Sequence, residues 1–561
     1  MSNNSNRFTL HNTRDEFEYN KNKVDLDIKF NRVAFIFFIF FIISIIYSIH
    51  LIHLGSRKSD AIKNNQPKII NKLHRADIVD RNGDFLAKTV SSIDIGINPE
   101  EVIDQKKLLL NLGYIFPDKD YELIKARLKK NKFFRFEKKI SDENYEKIMM
   151  LGDKSIQAEE KLSRVYPQKN LFSHIIGQID DDNFGISGLE KSLDKQLKNN
   201  KKSTQLTVDK DIQFLIREEL LKYNKIFSVK GSAAILMDVN NGEIISIVSL
   251  PDFDPNQRVK ITDVNFINRA TKGIYEFGSV FKTFTLAAAF NEKIIEPETK
   301  FVDLPKSLIC AGFSIREYND KIPSSLTAEQ ILIRSGNIGS VRIAQKIWEE
   351  KYKLFLSKLG IIGRIDFDIE EVGIPIKFNW GKCPLATASF GHGITTTLIQ
   401  VVKAYSIIVN GGFDVDPVLV KRNKRIKKKI LNKDVTEKIL PILRKTVSTK
   451  DGTAKLANVN GYEIGGKTGT ANKILDGVYS KKKINTFVSV FPTSKPKFIL
   501  AVMLEEPEIN KDYIYEYRDG SNFKLKGSPR NTAGWNSVEA AGHIVEKIGP
   551  ILATKYNEIY Q

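Results

Sequence analysis

From Val33 to Leu54 the chain reads VAFIFFIFFIISIIYSIHLIHL, twenty-two residues without a Lys, Arg, Asp or Glu. A helix needs roughly 20 apolar residues to cross the hydrocarbon core of a bilayer. A cleavable signal segment has a shorter apolar run and a small-x-small site after it. Here LIHLGSRK comes next instead. The run is therefore expected to be an uncleaved membrane anchor over 33–54, behind a polar tail of mixed charge over 1–32. Lys29 and Arg32 precede it and Arg57 and Lys58 come after it, so the positive-inside rule gives no orientation. His50 and His53 sit at the end of the span and read as interfacial side chains rather than a metal pair. No HExxH or comparable ligand set occurs elsewhere, and no metal or other cofactor is expected.

Beyond the anchor, the remaining length must fold outside the bilayer. With 561 residues the chain is long enough for two or three domains. Its apolar and charged fractions, 42% and 27%, are those of a globular protein. The net charge of +20 points either to an anionic partner or to a lysine-rich, solvated surface. Two cysteines, Cys310 and Cys383, rule out a disulfide scaffold. One bridge between them depends on an oxidising compartment and stays open at this level.

After a polar linker, RADIVDRNGDFLAKTV predicts a strand, an Asn-Gly turn and a second strand. A charged, helix-rich stretch runs to about Lys154, and GISGLEKSLDKQL predicts an amphipathic helix. GSAAILMDVNNGEIISIVSL reads as a hairpin turning at Asn240-Asn241-Gly242. YEIGGKTGTA offers a third strand, and TFVSVFPTSKPKFILAVML a fourth and fifth around a Pro-Thr-Ser-Lys-Pro turn. Helical patterns lie near 279–290, 327–349, 395–409, 434–447 and 537–551. This order predicts an α+β domain, a five-stranded antiparallel sheet flanked by helices.

One helix carries an anomaly. YEFGSVFKTFTLAAAF, Tyr275 to Phe290, is almost wholly apolar after Ser279 except for Lys282. Ser-x-x-Lys begins at Ser192, Ser279, Ser480, Ser494 and Ser521, so the spacing alone says little. At Ser279 the setting differs. Gly278 allows a tight turn, with the serine capping the helix start. Residues three apart share a helix face, and an apolar helix must be buried. A buried lysine loses its charge and becomes a general base for a neighbouring hydroxyl. A lysine snorkelling to the surface is an equal reading of this helix taken alone.

Two further elements favour the chemical reading. ILIRSGNIGS places Ser335 and Asn337 at the start of an apolar-periodic run. GGKTGTA places Lys467, Thr468, Gly469 and Thr470 on the third strand. A lysine and hydroxyls on a strand can hold a carboxylate, and Gly469 lets a substrate backbone approach. SxxK, SxN and KTG in this order are the motif set of penicillin-binding proteins and serine β-lactamases.

The chain resembles a class B penicillin-binding protein, a peptidoglycan D,D-transpeptidase. The resemblance covers nearly everything after the anchor: RADIVDRNGDFLA, RVYPQKNLFSHIIG with GISGLEKSLD, LPDFDPN, FGHGITTTLIQ, GTAKLANVNGYEIGGKTGTANK and TAGWNSVEAAGHIVEKI. The SGN triplet is closer to the division type's Ser-Ser-Asn than to the elongation type's Ser-Ala-Asp. The resemblance implies a dimerisation or pedestal domain over 55–205 and a transpeptidase domain over 206–561. It implies Ser279 as nucleophile and Lys282 as its base. Ser335 would relay a proton with help from Lys467, and Asn337 would hold the substrate amide and Lys282. Lys467, Thr468 and Thr470 would bind the terminal carboxylate, and the N–H groups of Ser279 and Thr470 would form the oxyanion hole. Phe277, where Pro or Met is common, and Gly336, where Ser is frequent, depart from the pattern.

Implied partners are stem peptides, β-lactams, the lipid bilayer, a membrane glycosyltransferase and other division proteins. The implied location is the bacterial inner membrane, single-pass, with the catalytic domain in the periplasm. Competing readings are an elongation-type transpeptidase, a serine β-lactamase, and a β-lactam sensor or silent scaffold. The run KRNKRIKKK, Lys421 to Lys429, lacks interleaved aromatics and reads as a solvated loop rather than a nucleic-acid site. His392 is given no catalytic role.

Overall fold

The structure, a computed structural model, describes residues 32–56, 75–200, 202–257, 263, 266–422, 428–475 and 477–556. The polar tail, the linker and the middle of KRNKRIKKK, 423–427, lie outside the described residues, as does the side chain of His53. The apolar run forms helix α1, Arg32–Ser56, of 25 residues. At about 1.5 Å per residue such a helix exceeds the roughly 30 Å of a bilayer core. Its Phe35–Ile52 stretch is long and apolar enough to cross a membrane.

The chain from Arg75 onward packs as one unit. Strands β1 (Ile78–Val79) and β2 (Phe85–Ile97) form the expected hairpin. Asp80 Oδ1 accepts the N–H groups of Asn82 and Asp84 at 2.8 and 2.9 Å, and Gly83 takes φ +94°. This is the local side-chain bonding that makes Asp and Gly turn residues. The charged stretch then gives helices α2 (Gln105–Ile115) and α3 (Tyr121–Leu128), strand β3 (Phe134–Ile140), helix α4 (Asp142–Met150) and strand β4 (Ile156–Val165). The two strands add to the helices expected of this helix-rich stretch. They carry consecutive charged residues, Glu137 to Lys139 and Glu159 to Lys161, and pair with β2, whose Ile95 and Ile97 pack with Leu108, Leu112 and Phe136.

GISGLEKSLDKQL forms two short helices, α5 (Gly188–Ser192) and α6 (Asp194–Asn199). Leu193 links them and still donates to Leu189 O at 2.9 Å. Their Glu190 is fully buried between Arg75 and Arg164. The RAD and GLEKSLD segments, distant in sequence, thus meet through ion pairs. Strand β5 (Thr204–Gln205) closes this sheet by pairing in parallel with β1.

Helix α7, Lys210–Ile226, opens the second sheet's territory and was not among the predicted helices. Its start is capped by Asp209, whose carboxylate accepts from Asp211 and Ile212. Strands β6 (Gly231–Asp238) and β7 (Ile244–Leu250) come next. Inserted after them are α8 (Phe281–Asn291), strands β8 (Ser307–Cys310) and β9 (Phe313–Arg316), and helices α9 (Ala328–Ile333), α10 (Asn337–Ile347), α11 (Glu349–Lys358), α12 (Lys382–Ala388), α13 (Leu398–Val409) and α14 (Lys433–Ser448). The chain returns as β10 (Gly465–Leu475), β11 (Val478–Phe491) and β12 (Phe498–Glu505), and ends in α15 (Ser537–Lys555).

The sheet order is β10-β11-β12-β6-β7, and every pairing is antiparallel. This is the five-stranded sheet expected from the sequence. Both its faces are covered, which explains the unbroken apolar run in β6. Ala233, Ile235 and Met237 pack into the core with α8, α13 and α14. Ala234 and Leu236 pack into the opposite core with α7 and α15. The alternation arises from the two-residue period of a strand. Cys310 at the end of β8 is disulfide-bonded to Cys383 in α12, 73 residues later.

Candidate active site

The YEFGS segment approaches the KTG strand so closely that side chains are excluded from both. A Cβ on Gly278, at φ +52°, would lie 2.6 Å from Thr470 O. A Cβ on Gly469 would lie 2.1 Å from Phe277 O. Gly469 therefore makes room for the protein's own backbone. Ser279 stands in the short 3-10 turn Gly278–Val280 that leads into α8. It does not cap the helix: the N-cap is Val280, without a side-chain bond.

Lys282 lies on the first turn of α8, 1% exposed. Its Nζ donates to Ser335 O at 2.5 Å, Ser335 Oγ at 3.1 Å and Asn337 Oδ1 at 2.7 Å. Burial lowers its pKa to about 7, against the opposing charge of Glu317. Lys467 on β10 is fully enclosed. Its Nζ donates to Ser335 Oγ at 3.0 Å, Thr468 O at 3.0 Å and Thr468 Oγ1 at 3.4 Å. Burial first, and the neighbouring Lys282 charge second, hold Lys467 well below the ordinary lysine range. Two amines thus share one hydroxyl without a carboxylate partner among their hydrogen bonds.

Ser335 sits where the 327–349 helical pattern breaks into α9 and α10, at φ +59°. Gly336 N donates to Ile331 O at 2.9 Å, folding the break back onto α9. Asn337 is gripped by two neighbouring residues of another element. Its Nδ2 donates to Arg316 O at 2.7 Å, and its N–H donates to Glu317 Oε2 at 2.7 Å. Thr468 Oγ1 lies 2.8 Å from Thr453 Oγ1. Thr470 Oγ1 accepts the Ala533 N–H at 3.0 Å, which leaves its own proton to be donated.

Ser279, Ser335, Asn337, Thr468 and Thr470 line one cavity of about 660 Å³. The SxxK, SxN and KTG motifs converge here, with Lys282 and Lys467 beneath the lining and Gly469 packed against Phe277 O. His392 borders the cavity, its ring stacked 4.7 Å from Tyr479. Two participants were missed. Thr453 lies in GTAKLAN, a segment that carries the family resemblance but suggested no role for its threonine. Glu317 belongs to no motif, and only the fold brings it to Asn337. Of the other Ser-x-x-Lys lysines, Lys497 is paired with Asp238 at 2.8 Å and Lys524 with Glu516.

A serine at the head of a buried helix, an amine of lowered proton affinity one turn on, and a second serine bridging to a strand lysine define an active-serine acyl-transfer enzyme. The chain belongs to the penicillin-binding protein family. Residues 232–521 match the penicillin binding protein transpeptidase domain, and 71–225 match the penicillin-binding protein dimerisation domain. The chain is 28% identical over 499 residues to the "Probable peptidoglycan D,D-transpeptidase FtsI" of Caulobacter vibrioides, spanning 86% of this chain and 82% of that protein. It is 30% identical over 498 residues to the "Peptidoglycan D,D-transpeptidase FtsI" of Buchnera aphidicola subsp. Baizongia pistaciae, spanning 78% and 83%. Its fold is that of penicillin binding protein 3 from Mycobacterium tuberculosis, solved with aztreonam: TM-score 0.64, 21% identity, 86% of this chain and 96% of that one.

Proposed function

We propose that this protein cross-links peptidoglycan stem peptides through an acyl-enzyme on Ser279, as a division-type D,D-transpeptidase. The observation that carries this reading is the Lys282 amine, buried and near-neutral, on the same helix start as Ser279. Lys282 takes the hydroxyl proton as Ser279 Oγ attacks the carbonyl of the penultimate D-Ala. The N–H groups of Ser279 and Thr470 receive the oxyanion. The bond to the terminal D-Ala then breaks, and the proton taken by Lys282 passes through Ser335, which is held by both lysines, to the leaving amine. A second stem peptide's amine attacks the ester, forms the cross-link and returns the proton to Ser279. Thr468 and Thr470 hold the substrate's terminal carboxylate. That anion would raise the proton affinity of Lys467 beneath them. Asn337 holds the substrate amide and Lys282. A β-lactam acylates the same serine. No cofactor is required, because serine and amine supply the nucleophile and the proton transfers.

Residues 55–205 serve as pedestal and 206–561 as the transpeptidase. We place α1 in the inner membrane as an anchor and the catalytic domain in the periplasm. The Cys310–Cys383 bridge supports that side, since disulfides persist in oxidising compartments. Glycan synthesis falls to a membrane glycosyltransferase partner within the division machinery.

Labelling with a fluorescent penicillin tests the chemistry: the parent should label and Ser279→Ala should not. An unlabelled parent would contradict the assignment, and rapid loss of label would mean a β-lactamase. Depletion in cells tests the role. Filaments are expected, whereas round cells would mean elongation.

A further inference from the structure

Helix α10 starts without a cap of its own. Its N-cap is Gly336, which has no side chain to accept the first N–H groups. Those groups need acceptors, and Ser, Thr, Asp or Asn usually supply one. Here the acceptor comes from another element. Glu317 Oε2 accepts from Asn337 N at 2.7 Å, and Oε1 accepts from Ile338 N at 2.9 Å.

The neighbours of Glu317 grip the same segment. Arg316 O accepts from Asn337 Nδ2 at 2.7 Å, and Tyr318 Oη donates to Arg334 O at 3.0 Å. Three consecutive residues, 316–318, therefore clasp 334–338. They leave the β8–β9 hairpin, which the Cys310–Cys383 bridge ties to α12. A serine would fit at 336, since a Cβ there would meet Glu317 Oε1 at 3.6 Å, an ordinary contact. A chain with serine at that place could cap α10 locally. This chain does not.

We propose that Glu317 is a positioning residue for acyl transfer: its carboxylate replaces the missing N-cap of α10, fixes Asn337, and keeps a negative charge beside the Lys282 amine that Asn337 holds. The proposal rests on the reading of Lys282 as the base. Asn337 Oδ1 is 2.7 Å from Lys282 Nζ, so a shift of the helix start moves the amine's acceptor. Glu317 is also the charge that opposes burial at Lys282. The other charges facing this corner are positive or paired. Lys467 lies across Ser335, Arg334 pairs with Asp451 at 2.6 Å, and Arg334 and Arg530 act on Tyr318.

The test measures second-order acylation by a penicillin between pH 5 and 10, on the full chain in detergent. The proteins are the parent, Glu317→Gln, and Glu317→Gln combined with Gly336→Ser. Glu317→Gln should slow acylation about tenfold at pH 8. It should also move the acid limb of the profile down by about half a unit or more, because an opposing charge is gone. Adding Gly336→Ser should restore the rate to within about threefold by supplying the cap. It should leave the limb displaced, because a serine carries no charge.

A rate and limb like the parent's in Glu317→Gln would overturn the proposal. So would a slower rate with an unmoved limb, which is what a purely structural cap would give. If Glu317→Gln does not fold, the double variant carries the same comparison of limbs. Failure of the parent to acylate at Ser279 would strike the proposed function instead, and the two failures are read separately.

Discussion

Two buried polar clusters in this protein look alike in composition and differ in balance. At the junction of the RAD and GLEKSLD segments, Arg75 and Arg164 both contact the buried Glu190, and Arg75 also reaches Asp194 at 2.7 Å. At the active site, Lys282 and Lys467 converge on Ser335 with only hydroxyl, carbonyl and amide oxygens as hydrogen-bond partners. Neutralising carboxylates keep the first cluster charged, and Arg75 is held above its ordinary range despite the opposing effect of burial. Without them, burial lowers the proton affinity of both amines in the second cluster. The difference teaches that a buried cation matched by an anion is structural, whereas an unmatched amine becomes a base.

The largest test of this contrast is Lys282→Met. It should reduce acylation by about 10³-fold or more, since a general base is gone. It should shift Tm by less than about 3 °C, because an uncharged amine is exchanged for an apolar chain of similar length. Glu190→Gln should do the reverse. It removes the carboxylate shared by two buried arginines, leaving Arg75 with Asp194 and Arg164 without its buried anion, and should cost about 3–5 kcal/mol of stability by denaturant unfolding. Acylation per folded molecule should stay within about twofold.

Gly469→Ala comes next. Its methyl would collide with Phe277 O and push the serine turn from the KTG strand. A loss of about 10²-fold in acylation is expected, as for misplacement by about an ångström. The smallest effect is that of pH on the parent. Below about 7 the Lys282 ammonium forms and cannot take the serine proton, so acylation should fall about tenfold per unit on the acid side. A flat profile between pH 5 and 8 would contradict the contrast.

Much of the fold was legible because its signals are local. The Asn-Gly turns, the apolar strand runs and the capping box at Thr397 and Gln400 each act within a few residues. Helix α7 carries local signals too, in its cap Asp209 and the apolar spacing of Ile212, Ile216 and Leu220. Strands β3 and β4 were hidden because runs of consecutive charged residues, Glu137 to Lys139 and Glu159 to Lys161, break the apolar–polar alternation. The site's principal residues were visible as motifs. Their support was not. Glu317 reaches Asn337 across twenty positions, and Cys310 and Cys383 are joined only by the folded chain. The role of Gly469 likewise depends on Phe277 O, a backbone atom that no motif names.

The central claim is that burial brings the proton affinity of the amine at 282 down to about 7, so that it is free to act as a base in mildly alkaline solution. Titrating the isotopically labelled lysine Nζ by NMR, with Lys282→Met to assign the signal, tests it directly. A midpoint near 7 is the expected result. A midpoint near the ordinary lysine value of about 10.4 would contradict the account.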